Sequence, residues 1–304
     1  MGITLRQLRA FCAVYELKNF TRGLARGLKS RRINMAAFHH RIPSRLQLGI
    51  AAPGSAAAPM SHTPPSRHAD RLASYYWSGD AMRSRSVSST VLTGTLDLPA
   101  PPLRVHADWD REMASRLCLE PGDVEQMPLA RTQARWPEYG LCLQAMRDWT
   151  GTLGLSGALA AADIALMACR GARYHHDGAQ YGGAAFCNLF LSDDRGLDVH
   201  FPAAGLRIPL VRGTAMVFDT GQPHGVILRR GNGFREADFA AGMDLAQLFL
   251  TWELPIEDPN VSRALGIGFD IDAATASRLD EEQVRADGAR ATVDPESGLW
   301  LLER

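Results

Sequence analysis

Lysine is almost missing from this chain. Of its 304 residues, 33 are Lys or Arg and 33 are Asp or Glu, but only Lys18 and Lys29 are lysines. Both lie in residues 1–59, which carry ten basic residues and a single acid, Glu16. The remaining residues therefore carry 23 of the basic and 32 of the acidic side chains. A charge division this sharp predicts two segments of different origin or role.

The chain also lacks paired cysteines and long apolar runs. Its five cysteines are odd in number and none forms a C-x-x-C pair, which argues against a disulfide framework or a cysteine zinc site. No run of 18 apolar residues exists, and charges such as Arg6 and Arg9 interrupt the first apolar stretch. From these features we expect neither a membrane-spanning helix nor a signal peptide. We expect a soluble, cytoplasmic protein with no membrane partner.

Residues 3–22, ITLRQLRAFCAVYELKNFTR, place Leu5, Leu8 and Phe11 at helical spacing and predict an amphipathic helix. This stretch resembles the first helix of LysR-type transcriptional regulators, in which a helix-turn-helix follows. The similarity ends after Arg22. Nucleic acid is therefore not expected as a partner, although a DNA-binding regulator fragment is kept as an alternative function.

Residues 49–66 are rich in Ala, Pro, Ser and Gly and predict a flexible linker. Met60 lies inside this linker. Our hypothesis is that residues 1–59 form a basic extension not native to the domain, and that the working domain spans 60–304. The alternative is a basic arm that binds nucleic acid weakly.

The rest of the chain alternates between helical and strand-like patterns. We predict helices at 66–80, 108–119 and 138–150, a partly helical segment at 155–170, and a strand or two in 87–108. A further helix is predicted at 273–290, inside an acidic and loose C-terminal tail, 257–304. Short β-like runs separated by turns predict a barrel or sandwich, and they lie at 186–191, 197–202, 206–211, 215–218, 224–229 and 246–254.

The candidate metal ligands are His175, Asp177 and His224. The i, i+2 spacing of His175 and Asp177 points both side chains to one side of an extended segment. A second imidazole from a distant strand completes the two-His-one-carboxylate set of non-haem Fe(II) oxygenases. His176 is the rival of His175, and His106-Ala107-Asp108 is a competing H-x-D pattern.

The elements YHHDGAQYGG, NLFLSDDRGLDVHFP and RGTAMVFDTGQPHGV make residues 174–254 similar to the core of the Fe(II)/2-oxoglutarate-dependent dioxygenases, in the prolyl-hydroxylase-like branch. The resemblance implies an α+β fold: a double-stranded β-helix, or jelly roll, at about 172–256 with supporting N-terminal helices. It also implies Fe(II), 2-oxoglutarate and O2 as cofactor and cosubstrates, with ascorbate as an optional reductant.

In this family a basic residue after the distal histidine pairs with the C5 carboxylate of 2-oxoglutarate, a task that suits a guanidinium. Arg235, eleven positions after His224, is the first choice here, and Arg229 the second. Tyr174 and Asn188 flank the predicted metal and are further candidates for the cosubstrate pocket.

The resemblance implies an oxidoreductase that hydroxylates a small molecule or an amino-acid or peptide side chain, with release of succinate and CO2. Because Asp177 is retained, hydroxylation is favoured over halogenation. A non-catalytic β-barrel binding protein is the second alternative. No motif predicts the substrate residues or the oligomeric state.

Overall fold

The structure, a computed structural model, describes residues 60–62, 72–240 and 242–303. All of them belong to one compact unit, residues 56–304. The predictions for residues 1–59, including the LysR-like helix at 3–22, lie outside the described residues. None of the helices within the described ranges is long and apolar enough to cross a membrane.

The described helices precede and follow a long run of strands. A π-helical turn, Met113–Leu117, continues the first helix, and 3₁₀ turns cover Pro202–Ala204 and Glu236–Phe239. The α-helices are α1 (Leu103–Glu112), α2 (Leu129–Arg135), α3 (Tyr139–Thr152), α4 (Ser156–Ala161), α5 (Pro259–Leu265) and α6 (Ala273–Ala276).

The strands fall into three antiparallel groups. In chain order they are β1 (Met60–His62), β2 (Leu72–Ser78), β3 (Ala81–Ser86), β4 (Val91–Thr95), β5 (Val124–Met127), β6 (Ile164–Cys169), β7 (Ala172–His175), β8 (Ala184–Phe190), β9 (Leu197–Phe201), β10 (Leu206–Pro209), β11 (Thr214–Asp219), β12 (His224–Leu228), β13 (Gln247–Pro255), β14 (Gln283–Ala286), β15 (Ala289–Val293) and β16 (Trp300–Leu302).

Two of the sheets face each other, and most of their strands come from the second half of the chain. The larger has seven strands in the order β1-β4-β11-β8-β13-β6-β5, and the smaller has four in the order β10-β9-β12-β7. Because side chains alternate along a strand, Phe186 and Phe190 of β8 face the smaller sheet. Cys187 and Leu189 of the same strand pack with the apolar side chains of α1, α3 and α4. The centre of the larger sheet is therefore buried on both faces.

The strand runs predicted from the sequence are confirmed as β8 to β13, and the helix at 138–150 is confirmed as α3. The segment 155–170 divides into helix α4 and strand β6. The helix predicted at 108–119 begins earlier, at Leu103, and ends in the π-helical turn. The larger sheet also recruits β4 and β5, which lie before the predicted core at 172–256.

The helix predicted at 66–80 is wrong, since Leu72–Ser78 form strand β2. Residues Leu72 to Tyr76 are all buried, so the strand shows no polar alternation and its sequence fits either period. β2 is an interior strand of the third sheet, between β14 and β3 in the order β16-β15-β14-β2-β3.

The helix predicted at 273–290 and the loose tail are also wrong. Helix α6 ends at Ala276, and residues 283–286 and 289–293 form a hairpin that pairs with β2. Asp287 and Gly288 have φ of 50° and 81°, the conformation of a two-residue type I′ turn. The acidic composition of this segment suggested a solvated helix rather than a hairpin. Its partner strand, β2, lies some two hundred residues earlier.

Candidate metal centre

The two predicted histidine ligands meet across a pair of strands in the smaller sheet. His175 ends β7 and His224 begins β12, and the two residues are direct partners in the antiparallel register. Their ring centroids are 4.5 Å apart. The pairing is irregular just beyond His224, between His224 and Val226. This register places both imidazoles at one end of the space between the sheets.

Asp177 follows His175 by two residues and completes the group. Its carboxylate Oδ2 lies 3.7 Å from His175 Nε2 and 3.6 Å from His224 Nε2. The backbone N–H of Asp177 donates to the Thr220 carbonyl at 2.7 Å, which ties the segment after β7 to the turn after β11. One ligand atom from each of the three residues lies within 4.8 Å of the other two.

The hydrogen bonds of the imidazoles fix which nitrogen is available. His175 Nδ1 donates to the Arg173 carbonyl at 2.7 Å, and His224 Nδ1 donates to the Gln222 carbonyl at 3.0 Å. Since a carbonyl only accepts, each Nδ1 carries the proton and each Nε2 presents its lone pair toward Asp177. Metal-binding histidines are typically oriented in this way. The donor set therefore fits a divalent transition metal.

Burial keeps His224 neutral. The residue is 8 % exposed, and its ring lies against Phe218 and Phe201 at centroid distances of 4.9 and 5.9 Å. Burial, together with the neighbouring His175, lowers the pKa of His224 to about 4. The imidazole is thus uncharged near neutral pH, the form that binds a metal.

A buried ion pair supports the turn beneath Asp177. Arg85 of β3 and Asp219 of β11 are fully buried, and both carboxylate oxygens accept from the guanidinium, at 2.7 and 2.8 Å. Asp219 also accepts from the backbone N–H groups of Ser88 and Gly221. Asp219 precedes Thr220, whose carbonyl holds Asp177. This pair was not foreseen, because Arg85 and Asp219 are 134 residues apart.

The rival ligands are engaged elsewhere. The ring of His176 lies 5.3 Å from that of Trp300, and its Nε2 lies 3.3 Å from the Ala291 carbonyl. In the competing H-x-D pattern, Asp108 accepts from Arg135 and Arg111, and His106 packs edge-on against Trp109. The structure brings together His175, Asp177 and His224 rather than either alternative.

The four residues predicted to bind the cosubstrate lie in different places. Asn188 of β8 is buried between the two sheets, in the row of Phe186 and Phe190, and its Oδ1 has no hydrogen-bond partner. Tyr174 faces away from that space, and its hydroxyl lies 2.6 Å from His200 Nδ1. Arg229 is paired with Asp194 and Asp198.

Arg235 is exposed and pairs with Asp238 three residues later, at 2.9 Å. Sequence reasoning overlooked Gln247, which is fully buried at the start of β13 and shares an inward row with Phe249. Its Nε2 donates to the Leu210 carbonyl at 3.5 Å, and its Oε1 has no partner. The polar groups in these inward rows of β8 and β13 thus include two neutral amides, whereas the two arginines predicted for the cosubstrate pair with carboxylates of the protein.

Comparisons with known proteins find distant structural likenesses only. A prolyl-4-hydroxylase from Pseudomonas putida aligns over 54% of this chain and 92% of its own, with 18% identity and a TM-score of 0.34. A viral collagen prolyl hydroxylase from Paramecium Bursaria Chlorella virus-1, in complex with 2-oxoglutarate, aligns over 54% and 94%, with 11% identity and a TM-score of 0.31.

A non-haem alpha-ketoglutarate-dependent carbocyclase from nogalamycin biosynthesis, SnoK, aligns over 56% of this chain and 85% of its own, with 12% identity and a TM-score of 0.30. No family model and no curated protein matches the sequence. The LysR-like similarity of residues 3–22 gains no support from these comparisons. Likenesses this distant carry no weight of their own, so the function rests on the residues of the chain.

Proposed function

We propose that this protein is a non-haem Fe(II) oxygenase that hydroxylates a small molecule and uses 2-oxoglutarate as cosubstrate. One observation carries the proposal: His175 Nε2 and a carboxylate oxygen of Asp177, from one segment, converge with His224 Nε2 from a second, distant segment. Two imidazoles and one carboxylate on one side of a metal leave the opposite positions open. Oxygenases of this kind need those positions for the cosubstrate and O2.

We further propose that β6 to β13 form a double-stranded β-helix. Strands β6, β8, β11 and β13 lie in the larger sheet, and β7, β9, β10 and β12 lie in the smaller one. The chain thus passes back and forth between two facing sheets. Such an order supports a jelly roll, and it brings the end of β7 and the start of β12 to the same end of the barrel.

The bound metal would supply the oxidising chemistry, in which 2-oxoglutarate is converted to succinate and CO2 as the substrate is hydroxylated. The chain's own contribution is to hold and orient. Arg173 and Gln222 fix the two imidazoles through their carbonyls, and Thr220 fixes the segment that carries Asp177. Phe201 and Phe218 shield His224 from water, which preserves its neutral form.

For the cosubstrate we assign Asn188 as the first contact, since it is the predicted residue whose side chain lies between the sheets. Its amide presents an NH₂ donor to a carboxylate when rotated about its last bond. Gln247 is a second neutral donor. Arg235 and Arg229 remain proposed contacts, each of which would have to leave a carboxylate partner on the protein.

The test is anaerobic visible spectroscopy of the full chain with Fe(II), before and after addition of 2-oxoglutarate, followed by succinate release in air. We expect a charge-transfer band that needs both additions and is lost in Asp177→Ala and His224→Ala. His106→Ala, in the competing H-x-D pattern, is the matched control and should keep the band. A protein that binds iron but shows no charge-transfer band with 2-oxoglutarate, and none with the alternative 2-oxo acid 2-oxobutyrate, would contradict the oxygenase proposal.

Failure to bind any metal would favour the non-catalytic β-barrel binding protein. The DNA-binding alternative concerns residues 3–22 and needs a separate test with duplex DNA.

A further inference from the structure

The end of the space between the two sheets that contains the trio is open to solvent. The side chains of His175 and Asp177 are 40 % and 22 % exposed. Phe186 of β8 and Thr251 of β13 point into this space, and both are only partly buried. Solvent therefore reaches the candidate ligands and the inward rows of the two strands beside them.

A carboxylate without a partner lies in this opening. Glu253 of β13 is the direct cross-strand partner of Phe186, so both side chains point to the same face of the sheet. Glu253 is exposed, and its side chain forms no hydrogen bond or ion pair with any residue that the structure describes. Partial burial of the carboxyl group, together with the charge of Asp163, nevertheless raises the pKa of Glu253. Both effects disfavour the negative charge, and a bound cation would offset them.

Tyr181 connects Glu253 to the candidate metal ligands. Its ring centroid lies 5.2 Å from that of Phe186, and its backbone N–H donates to the Asp177 carbonyl at 2.8 Å. Burial raises the pKa of Tyr181, and the negative charges of Glu253 and Asp177 raise it further. The Tyr181 hydroxyl is therefore close enough to both carboxylates to experience their charge.

Phe186 connects the same opening to the other side of the trio. Its ring centroid lies 6.0 Å from that of Phe218, and the Phe218 ring lies 4.9 Å from that of His224. Phe186 and Phe218 are cross-strand partners in the inward rows of β8 and β11. Glu253 and the two rings next to it thus adjoin the trio within the space between the sheets. We call Glu253, Tyr181 and Phe186 the rim.

The inward rows change character with depth. Asn188, two residues beyond Phe186 and directly opposite Thr251, is 8 % exposed, and its Oδ1 has no partner. We assigned this neutral amide to 2-oxoglutarate, which carries two negative charges. The Glu253 carboxylate would repel that molecule. The deeper position therefore suits the cosubstrate, and the rim is left for a ligand of opposite charge.

We propose that the rim binds the substrate, and that the substrate is a small molecule with a protonated amine. An ammonium N–H would donate to the Glu253 carboxylate in a charge-assisted hydrogen bond. The faces of the Tyr181 and Phe186 rings would attract the same positive charge. The role as a substrate site rests on the proposed oxygenase function, whereas binding of an amine at the rim does not.

The experiment measures binding of 4-phenylbutylamine to the metal-free full chain by isothermal titration calorimetry. This probe is a cation near neutral pH, and 4-phenylbutan-1-ol is its uncharged analogue. Glu253→Gln should weaken the amine about tenfold, the usual loss for one charge-assisted hydrogen bond, and leave the alcohol unchanged. Glu253→Lys should lose the amine and bind the anion 4-phenylbutyrate instead.

Glu125→Gln is the matched control. Glu125 is also an exposed carboxylate on a strand of the larger sheet, but it pairs with Ala168 on the face that the helices cover. This variant should bind the amine as tightly as the wild type.

A second measurement locates the amine relative to the trio. With Mn(II) bound, the proton resonances of 4-phenylbutylamine should broaden in nuclear magnetic resonance spectra. Asp177→Ala, which loses the metal, should bind the amine without this broadening. Amine binding without broadening in the Mn(II)-loaded wild type would place the amine away from the metal and overturn the substrate role.

Three calorimetric results would also overturn the proposal: no binding of the amine, equal binding of amine and alcohol by the wild type, or equal losses in Glu253→Gln and Glu125→Gln. Because the calorimetry uses metal-free protein, these outcomes are separate from those of the spectroscopic test. Amine binding that depends on Glu253, with no metal bound or no charge-transfer band, would keep the amine site and reject the oxygenase. A band without such binding would keep the oxygenase and reject an amine as its substrate.

Discussion

His175 and His224 are cross-strand partners whose rings face each other at a centroid distance of 4.5 Å. Side chains directly opposite in an antiparallel pair are close whatever their chemistry, so the register alone brings the two imidazoles together. Each Nδ1 donates a hydrogen bond to a backbone carbonyl, and this orients both Nε2 atoms toward Asp177. The candidate metal site is thus built largely by the backbone of two strands.

Removal of one ligand should reduce metal affinity without unfolding the protein. Asp177→Asn keeps the size of the side chain and the backbone bond to Thr220 but removes the charge. We expect metal affinity to fall by at least tenfold, with the thermal midpoint of the metal-free protein nearly unchanged. Titration with Mn(II), followed by electron paramagnetic resonance, measures the affinity. His106→Ala should bind as tightly as the wild type.

The metal-free protein should lose stability as pH falls from about 6.5 to about 4. Burial lowers the pKa of His224 to about 4 in the folded state, whereas the unfolded residue titrates near its ordinary value. Between these values the unfolded chain takes up a proton that the folded chain does not. The stabilisation is therefore complete above the unfolded pKa and is lost as pH falls through the folded one.

The size of this loss is at most about 3 kcal/mol for His224 alone. The charges of His175, Asp177 and His176 also act on the His224 ring, and burial lowers the pKa of His176 as well, so the contribution of His176 has the same sign. Urea denaturation at a series of pH values provides the measurement. His224→Asn should show a clearly shallower pH dependence, and an unchanged slope would contradict the assignment.

Arg85 and Asp219 should couple strongly in a double-mutant cycle. Either Arg85→Met or Asp219→Leu leaves one buried charge unpaired, and such losses cost about 3–5 kcal/mol. The double variant removes both charges and should cost clearly less than the sum of the two. Chemical denaturation of the four proteins gives the coupling energy. Additive losses would show that the pair does not act as a unit.

Alanine substitution should lower the thermal midpoint more at Gly298 than at Gly288. Gly288 and Gly298 both have positive φ, but a Cβ at Gly288 meets nothing within 4 Å. Gly288→Ala should therefore cost only the backbone strain, about 1–2 kcal/mol. Gly298→Ala adds the clash with Pro202 and Tyr174 and should lower the thermal midpoint further. Equal midpoints for the two variants would mean that the C-terminal segment is not seated on Pro202.

The trio could be predicted from sequence because its signals are local. The i, i+2 spacing of His175 and Asp177 and the strand pattern around His224 each depend on a few neighbouring residues. The same holds for strands β8 to β13, whose short apolar runs are separated by turn residues. Helix α3 could be predicted for a similar reason, since its apolar side chains recur along one face.

The elements that were wrongly predicted or missed depend instead on contacts between distant parts of the chain. β2 is buried on both faces, so its sequence lacks the alternation that marks a strand, and its partner β14 follows it by about two hundred residues. The hairpin of β14 and β15 did carry a local signal in Asp287-Gly288, but its acidic surroundings suggested a solvated helix. Arg85, Asp219 and Gln222 acquire their roles only through contacts that the folded chain creates.

The oxygenase proposal requires that His175, Asp177 and His224 hold one metal ion. The most direct measurement is anomalous diffraction from crystals of the protein grown anaerobically with Mn(II). We expect a single strong peak at coordination distance from both Nε2 atoms and from an Asp177 oxygen. A peak at another place, such as His106 and Asp108, or no peak beside a fully ordered trio, would contradict it.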